Sequence, residues 1–262
     1  MSAHVWRRPS PWPRPWMGPV AWVTGSVFLL WNVVNLDVDP VRVVRGLDRL
    51  TSVLANAVPP DFSRAGLLAT GVLESVEIAT LSTVFGVLLG IPAAVLAARN
   101  VVPLPVYAGG RVAITLGRTL HELILAIVVV KAVGFGPLAG VITLTVGAIA
   151  SFAKLLAEQI ETIDRGPIEA IRATGAPRTA VLIYGVLPQV LPRVVGLAIY
   201  QWDVHLRHST IIGIVGAGGI GATLYNAFAR YDYDFALAIL IVIVLIVLAG
   251  EAVSAVARRA VQ

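Results

Sequence analysis

About six apolar runs constrain this chain more than any other feature: residues 19–35, 67–97, 106–133, 138–156, 191 to about 205, and 235–249. Roughly 20 apolar residues in a helix cross the hydrocarbon of a bilayer, and 17 are enough in a thin one. Backbone N–H and C=O groups in lipid must find partners within the segment or in a closed barrel. Runs of this length are therefore expected to be helices, and the chain an all-α polytopic membrane protein. Composition agrees: 57% of residues are hydrophobic and 13% charged, against about 25% charged in a soluble domain. The net charge of +5 is scattered between the apolar runs, which fits membrane orientation and not a nucleic-acid footprint. Cysteine is absent, which excludes disulfides and thiolate metal sites.

Residues 1–66 read as a tail, a first span and an interfacial segment. Arg7 and Arg8 precede the run 19–35, no small-residue cleavage site follows it, and a retained first span is expected. Residues 6–16 mix Arg, Pro and Trp, which suits either the headgroup region or a disordered tail. Val41, Val44, Leu47, Leu50 and Leu54 recur at helical spacing with Arg42, Arg45 and Arg49 between them. That pattern predicts an amphipathic helix on the membrane surface, ended by Pro59 and Pro60. Residues 67–257 form the main transmembrane domain.

The longest polar interruption, within residues 158–188, lies between the fourth and fifth spans. Residues 164–192 read as two short helices joined by a tight turn. Gly166 breaks what precedes it, and Pro167 suits a first helical position, where a missing N–H costs nothing. Gly175 sits where a helix end needs positive φ, Pro177 can open the second helix, and Pro188 interrupts it. With no lipid to face, this helix–turn–helix is expected to meet a partner.

Glu169 and Ala170, then Gly175, then Leu187 and Pro188, follow the spacing of the loop that ABC importer permeases dock onto their ATPase. Ile171 and Gly185 depart from that pattern. The chain further resembles the phosphonate branch of those permeases, in the fold shared with methionine permeases. The resemblance is carried by LLATGVLESVEIA at 67–79, LAARN at 96–100, GRTLHEL at 117–123, YGVLPQVLP at 184–192 and DVHLRHSTIIGIVGAGGIG at 203–221. His121 stands where the family has Pro, and Asp203 and His205 where it has Glu and Asn.

The resemblance implies a type I ABC importer permease fold and a bacterial cytoplasmic membrane location. It implies that Glu169 and Arg172 contact the ATPase, with Gly175 making the turn and Leu187 and Pro188 pinning the loop to the fifth span. The expected partners are a cytoplasmic ABC ATPase dimer, an extracytoplasmic substrate-binding protein and a second permease copy, a homodimer. The chain has no G-x-x-x-x-G-K-[ST], so ATP and Mg are expected on the partner, with no cofactor here and no enzymatic activity of its own. If the coupling loop is cytoplasmic, so are both termini and residues 99–111. That side then holds Arg7, Arg8, Arg14, Arg99, Arg111, Arg165, Arg172, Arg178, Arg258 and Arg259. The opposite side holds Arg42, Arg45, Arg49, Arg64 and Arg230.

Charges embedded in spans normally face protein or water. Arg118 and Glu122 are predicted to share a helix face, as are Asp203 and Arg207, while Glu74 and Glu77 are three apart. Such pairs either neutralise each other structurally or line an anion path, for which the Arg fork suits phosphonate and phosphate oxygens. Gly216, Gly218, Gly219 and Gly221 match G-x-G-x-x-G, but the following span rules out the βαβ context of a dinucleotide site. They are expected to permit close helix packing or a re-entrant turn, with backbone N–H groups that could form an anion nest. The leading expectation is a phosphonate importer permease, the alternative one for phosphate, phosphite or another small anion. An embedded hydrolase using Asp203, His205 and His208, or a structural subunit of a larger complex, would belong to other classes.

Overall fold

The structure is a computed structural model and describes residues 14, 16–36 and 39–261. Arg7, Arg8, His4 and most of the segment 6–16 lie outside the described residues. The chain divides into two compact units, residues 1–55 and 56–262.

The first unit carries α1 (Met17–Asn35) and most of α2 (Pro40–Ala57). α1 is apolar around its whole circumference, as a lipid-facing helix is. α2 is the helix that the Val and Leu spacing predicts. The Asp39 side chain accepts the Val41 N–H (2.9 Å), an N-terminal cap.

The second unit is also helical: α3 (Ala65–Leu96), α4 (Leu104–Thr119), α5 (Glu122–Val133), α6 (Pro137–Glu161), α7 (Arg165–Ala173), α8 (Arg178–Ala180), a π-helical segment (Val181–Val186), α9 (Leu187–Gly213), α10 (Ile220–Ala229) and α11 (Tyr233–Val261). Among the described residues, five helices are long and apolar enough to cross a membrane, or six if α4 and α5 count as one broken span.

Three expectations need correction. The third span is not continuous: α4 stops at Thr119 and α5 restarts at Glu122, bent by 83°. Leu120 and His121 adopt extended ψ values of 116° and 135°, so the helix cannot pass through them. The polar loop's second helix is not separate from the fifth span, because α8, the π-helical segment and α9 run on to Gly213. Pro188 does not interrupt this run; it sits in the first turn of α9, just after the π-helical turns. Those turns change the hydrogen-bond register, which accommodates a residue without an N–H. Finally, Gly166 lies inside α7 and does not break it. The helix begins at Arg165, where Asp164 Oδ1 accepts the Gly166 N–H at 2.9 Å.

α3 and α6 pack so closely that a Cβ on Gly86 would lie 2.4 Å from Ala148 Cβ. Between membrane helices the attraction comes from van der Waals contact, which such small residues permit. Their ends are tied at one level: the Arg99 N–H donates to Glu161 (2.8 Å), and Asn100 Nδ2 donates to the Ile160 carbonyl (2.8 Å). Arg111 of α4 joins them, donating to Glu161 (2.9 Å) and to the Ala97 carbonyl (2.9 Å). α3 has 32 residues and α6 has 25, about 48 and 37 Å at 1.5 Å per residue. α6 therefore starts well short of the far end of α3, and Gly140, in its first turn, packs against Ile78. α10 covers the remainder of α3: Leu68, Ile220, Ala227, Phe235 and Ile239 form one buried cluster.

The same end is fastened by Arg64, which bonds Asp232 (2.6 and 3.0 Å) and Asp61 (3.3 Å) and stacks over the Phe235 ring at 3.8 Å. The Asp61 N–H donates to the Asp234 carbonyl at 3.1 Å. Hydrogen bonds from Arg64 hold the Asp232 carboxyl below its ordinary range, and bonds to Ser63 do the same for Asp61. A depressed folded value means that this contribution is complete at neutral pH, above the unfolded value near about 3.9, and is lost as pH falls through the lowered value. Hydrogen exchange corrected for intrinsic rates should therefore show the Asp61 amide protected at pH 7 and released in acid. Release should begin at higher pH in Arg64→Gln. Protection that ignores pH in both proteins would contradict this arrangement.

Candidate functional site

The polar segment folds as a short amphipathic helix, α7, that rests on the π-helical start of the fifth span. α7 ends at Thr174, with the Gly175 N–H bonded to the Arg172 carbonyl at 3.0 Å. Gly175 takes φ +73°, a left-handed conformation that a side chain would strain. Glu169, Ala170 and Arg172 are exposed on α7, and Leu187 and Pro188 open α9. The departure at Gly185 has a steric reason: a Cβ there would stand 3.4 Å from Ile168 Cα and from the Ile168 and Ile171 side chains. A β-branched residue at 185 would push α7 away.

The embedded charges form two groups, only one as the spacing predicts. Arg207 donates to Asp203 at 2.8 Å one turn away on α9, with the Asp203 side chain buried. Arg118 and Glu122 do not share a helix face, because the break between α4 and α5 separates them. Glu122 instead meets His208 Nδ1 of α9. Arg118, His121, Glu122, His208, Ile211 and Ile212 line a cavity of about 330 Å³ at that break. His121 caps α5 by accepting the Leu123 N–H (3.3 Å), and its φ of −69° is one that proline also adopts. The exchange of Pro for His thus keeps the backbone and adds an imidazole to the cavity.

His205 does not belong to this group. It is fully buried, with Nδ1 2.9 Å from Thr83 Oγ1 and Nε2 2.9 Å from Gln201 Nε2. Thr83 already donates its hydroxyl to the Ala79 carbonyl at 2.7 Å. The hydrogen-bond pattern therefore assigns the proton to Nδ1 and an acceptor role to Nε2, a neutral ring with both nitrogens used. His205 ties α9 to α3. Asp203, His205 and His208 each face a different partner, so they do not assemble a hydrolytic site. No cluster of three metal-ligating side chains occurs among the described residues.

The glycine loop is re-entrant and closely packed. Gly216, Gly218 and Gly219 all have positive φ. Three N–H groups of the loop are already taken by the protein's own acceptors. Gly219 N–H donates to Glu74 (3.0 Å), Ile220 N–H to Ser75 Oγ (2.9 Å) and Gly216 N–H to the Gly213 carbonyl (2.9 Å). Glu74 is thereby a fastener between α3 and α10, while Glu77 is exposed. A recess of about 640 Å³ sits above this loop, lined by Glu74, Phe135, Pro137, Gly216, Tyr225 and Asn226. Sequence spacing pointed to Glu74 and Arg207, and to His208 only as a hydrolase candidate and not as the partner of Glu122 on another helix; it missed Gln189, whose partners are backbone atoms.

The family model described as "Binding-protein-dependent transport system inner membrane component" matches residues 86–262. The chain is 38% identical over 244 residues to the phosphite transport system permease protein PtxC of Stutzerimonas stutzeri, covering 93% of this chain and 88% of that one. It is 42% identical over 202 residues to the phosphate-import permease protein PhnE of Mycolicibacterium smegmatis, covering 76% of this chain but only 38% of that protein's length. Among solved structures, the inward-facing MetNI methionine ABC transporter is similar with a TM-score of 0.67 and 26% identity, over 77% of this chain and 99% of that one.

Proposed function

Because the chain belongs to the inner membrane components of binding-protein-dependent transport systems, it is a multi-pass permease subunit of an ABC importer, and we propose that its cargo is a phosphorus oxyanion such as phosphonate, phosphite or phosphate. The observation that carries the cargo assignment is the likeness, over most of the chain, to a permease named for phosphite, joined by relatives named for phosphate and phosphonate. Chemistry supports it. Arg118 lines the cavity at the α4–α5 break, and Arg207 directly precedes His208 on α9. A guanidinium fork matches two oxygens of a tetrahedral oxyanion. The Glu122–His208 contact leaves Arg118 as the cation facing that cavity.

In this proposal a partner ATPase holds ATP and Mg and docks on α7 through Glu169, Ala170 and Arg172, with Gly175 shaping the turn. A binding protein delivers cargo at the opposite face, a second copy of the chain completes the pathway, and both termini share the cytoplasmic side with α7. Closure of the ATPase subunits would drive alternating access. The test is uptake by proteoliposomes holding the chain with its ATPase and binding protein. The expected result is ATP-dependent accumulation of phosphite, phosphate or a phosphonate, unaffected by excess sulfate. Glu169→Ala should lower it at least tenfold with the chain still in the membrane. Accumulation of methionine, with none of the phosphorus compounds moved, would overturn the cargo assignment.

A further inference from the structure

Gln189, in the first turn of α9, uses every polar position of its amide on the corner that leads into α7. The Asp164 N–H donates to Gln189 Oε1 at 2.9 Å, and Gln189 Nε2 donates back to the Asp164 carbonyl at 3.2 Å. The second Nε2 hydrogen goes to the Gly185 carbonyl at 2.7 Å. Asp164 is also the residue whose side chain caps α7. One turn further along the same face of α9, Arg193 donates to the Gln159 carbonyl (2.6 Å) and to Thr162 Oγ1 (3.1 Å) at the end of α6. Gly185, in the π-helical segment, lets that segment rest on Ile168 of α7. The start of α9 thus grips the α6–α7 corner from three sides.

We propose that Gln189 is a positioning residue that makes α7 and the membrane-spanning α9 one rigid body. Displacement of α7 by the ATPase then reaches α9 and is not absorbed at residues 162–164. This inference rests on the importer reading above. Its consequence is mechanical. Arg207 lies 18 residues beyond Gln189 on the same helix, about 27 Å at 1.5 Å per residue, so a tilt of about 5° at the coupling end moves Arg207 by about 2 Å. Without the Gln189 amide, α7 can follow the ATPase while α9 stays behind.

The experiment measures ATP hydrolysis and cargo uptake together in proteoliposomes of the full complex. In Gln189→Ala, co-purification of the ATPase and ATP turnover are expected to stay within about twofold of the unaltered complex. Cargo moved per ATP should fall at least fivefold, a ratio that a general loss of folded protein would not change. Gln189→Glu keeps the acceptor but loses both donors, and should uncouple as well. An unchanged ratio in both variants overturns the proposal. The chain has no cysteine, so an Ile168→Cys/Gly185→Cys pair provides an independent measurement. A Cβ at 185 stands 3.4 Å from Ile168 Cα, within reach of disulfide geometry. Oxidation should leave uptake intact when Gln189 is present and restore the ratio in Gln189→Ala. Uptake lost on oxidation and regained on reduction would show that α7 and α9 must separate, and would overturn the proposal. If Gln189→Ala does not assemble, the cysteine pair with Gln189 present decides. An unaltered complex without ATP-driven uptake would instead refute the importer reading.

Discussion

Gly221→Ala is expected to lower both thermal stability and uptake, a larger effect than any other single methyl group would have here. A Cβ at 221 would stand 1.9 Å from the Thr210 carbonyl oxygen and 2.9 Å from its carbon. Gly213, on the facing turn, leaves a Cβ only 2.5 Å from the Gly218 carbonyl oxygen and 2.8 Å from Gly221 Cα. Every obstructing atom is backbone, so no side chain can rotate away and the α9–α10 crossing itself must open. Overpacking in a close-packed interior costs typically about 1–3 kcal/mol, and this site belongs at or above the upper end. That corresponds to roughly 10 °C in Tm for a chain of this size. Thermal unfolding in detergent checks it, with Gly109→Ala as control, since a Cβ at 109 meets nothing within 4 Å. A Gly221→Ala protein with unchanged Tm would mean that the helices do not cross this closely.

Arg207→Ala is expected to abolish uptake and to weaken the bundle together. Asp203, a buried side chain, has Arg207 as its hydrogen-bond partner at 2.8 Å, and its other carboxylate oxygen is buried without one. Removing one member of a fully buried ion pair costs about 3–5 kcal/mol, most of it for the charge left behind; the Arg207 side chain is 46% exposed, so the cost here falls below that range, and replacing both members by neutral groups is close to neutral. Loss of uptake with assembly intact is therefore expected of the double variant. Asp203→Asn with Arg207→Gln should recover the Tm of the unaltered protein and still fail to transport. Tm in detergent and uptake by proteoliposomes read the two effects apart. Transport restored with stability would assign the pair to packing alone.

The six apolar runs were legible because span length is a sum over neighbouring residues and lipid leaves the backbone no other choice. The turn at Gly175 and the helix of residues 40–57 were legible for the same reason: positive φ and amphipathic spacing are local properties. The break at Leu120 and His121 was not legible, because neither residue is a breaker. The extended backbone there is held by cavity-facing partners such as the Glu122–His208 contact, 86 positions apart. Nor was the continuity of α9 through Pro188. A proline within a helical pattern normally ends or kinks it, and here the π-helical turns before it take up the missing donor.

What the sequence determined by itself was the solvent, the all-helical class and the family, since apolar length and short motifs survive without knowledge of the fold. The tertiary structure alone decided which partner each charge took. Glu74 reaches the Gly219 N–H across 145 positions of chain, Arg207 turns back to Asp203, and Gln189 closes on the Asp164 backbone. A buried polar group must be paired, but its sequence states only what it can donate or accept; which neighbour answers is set by the packing that brings distant helices into contact.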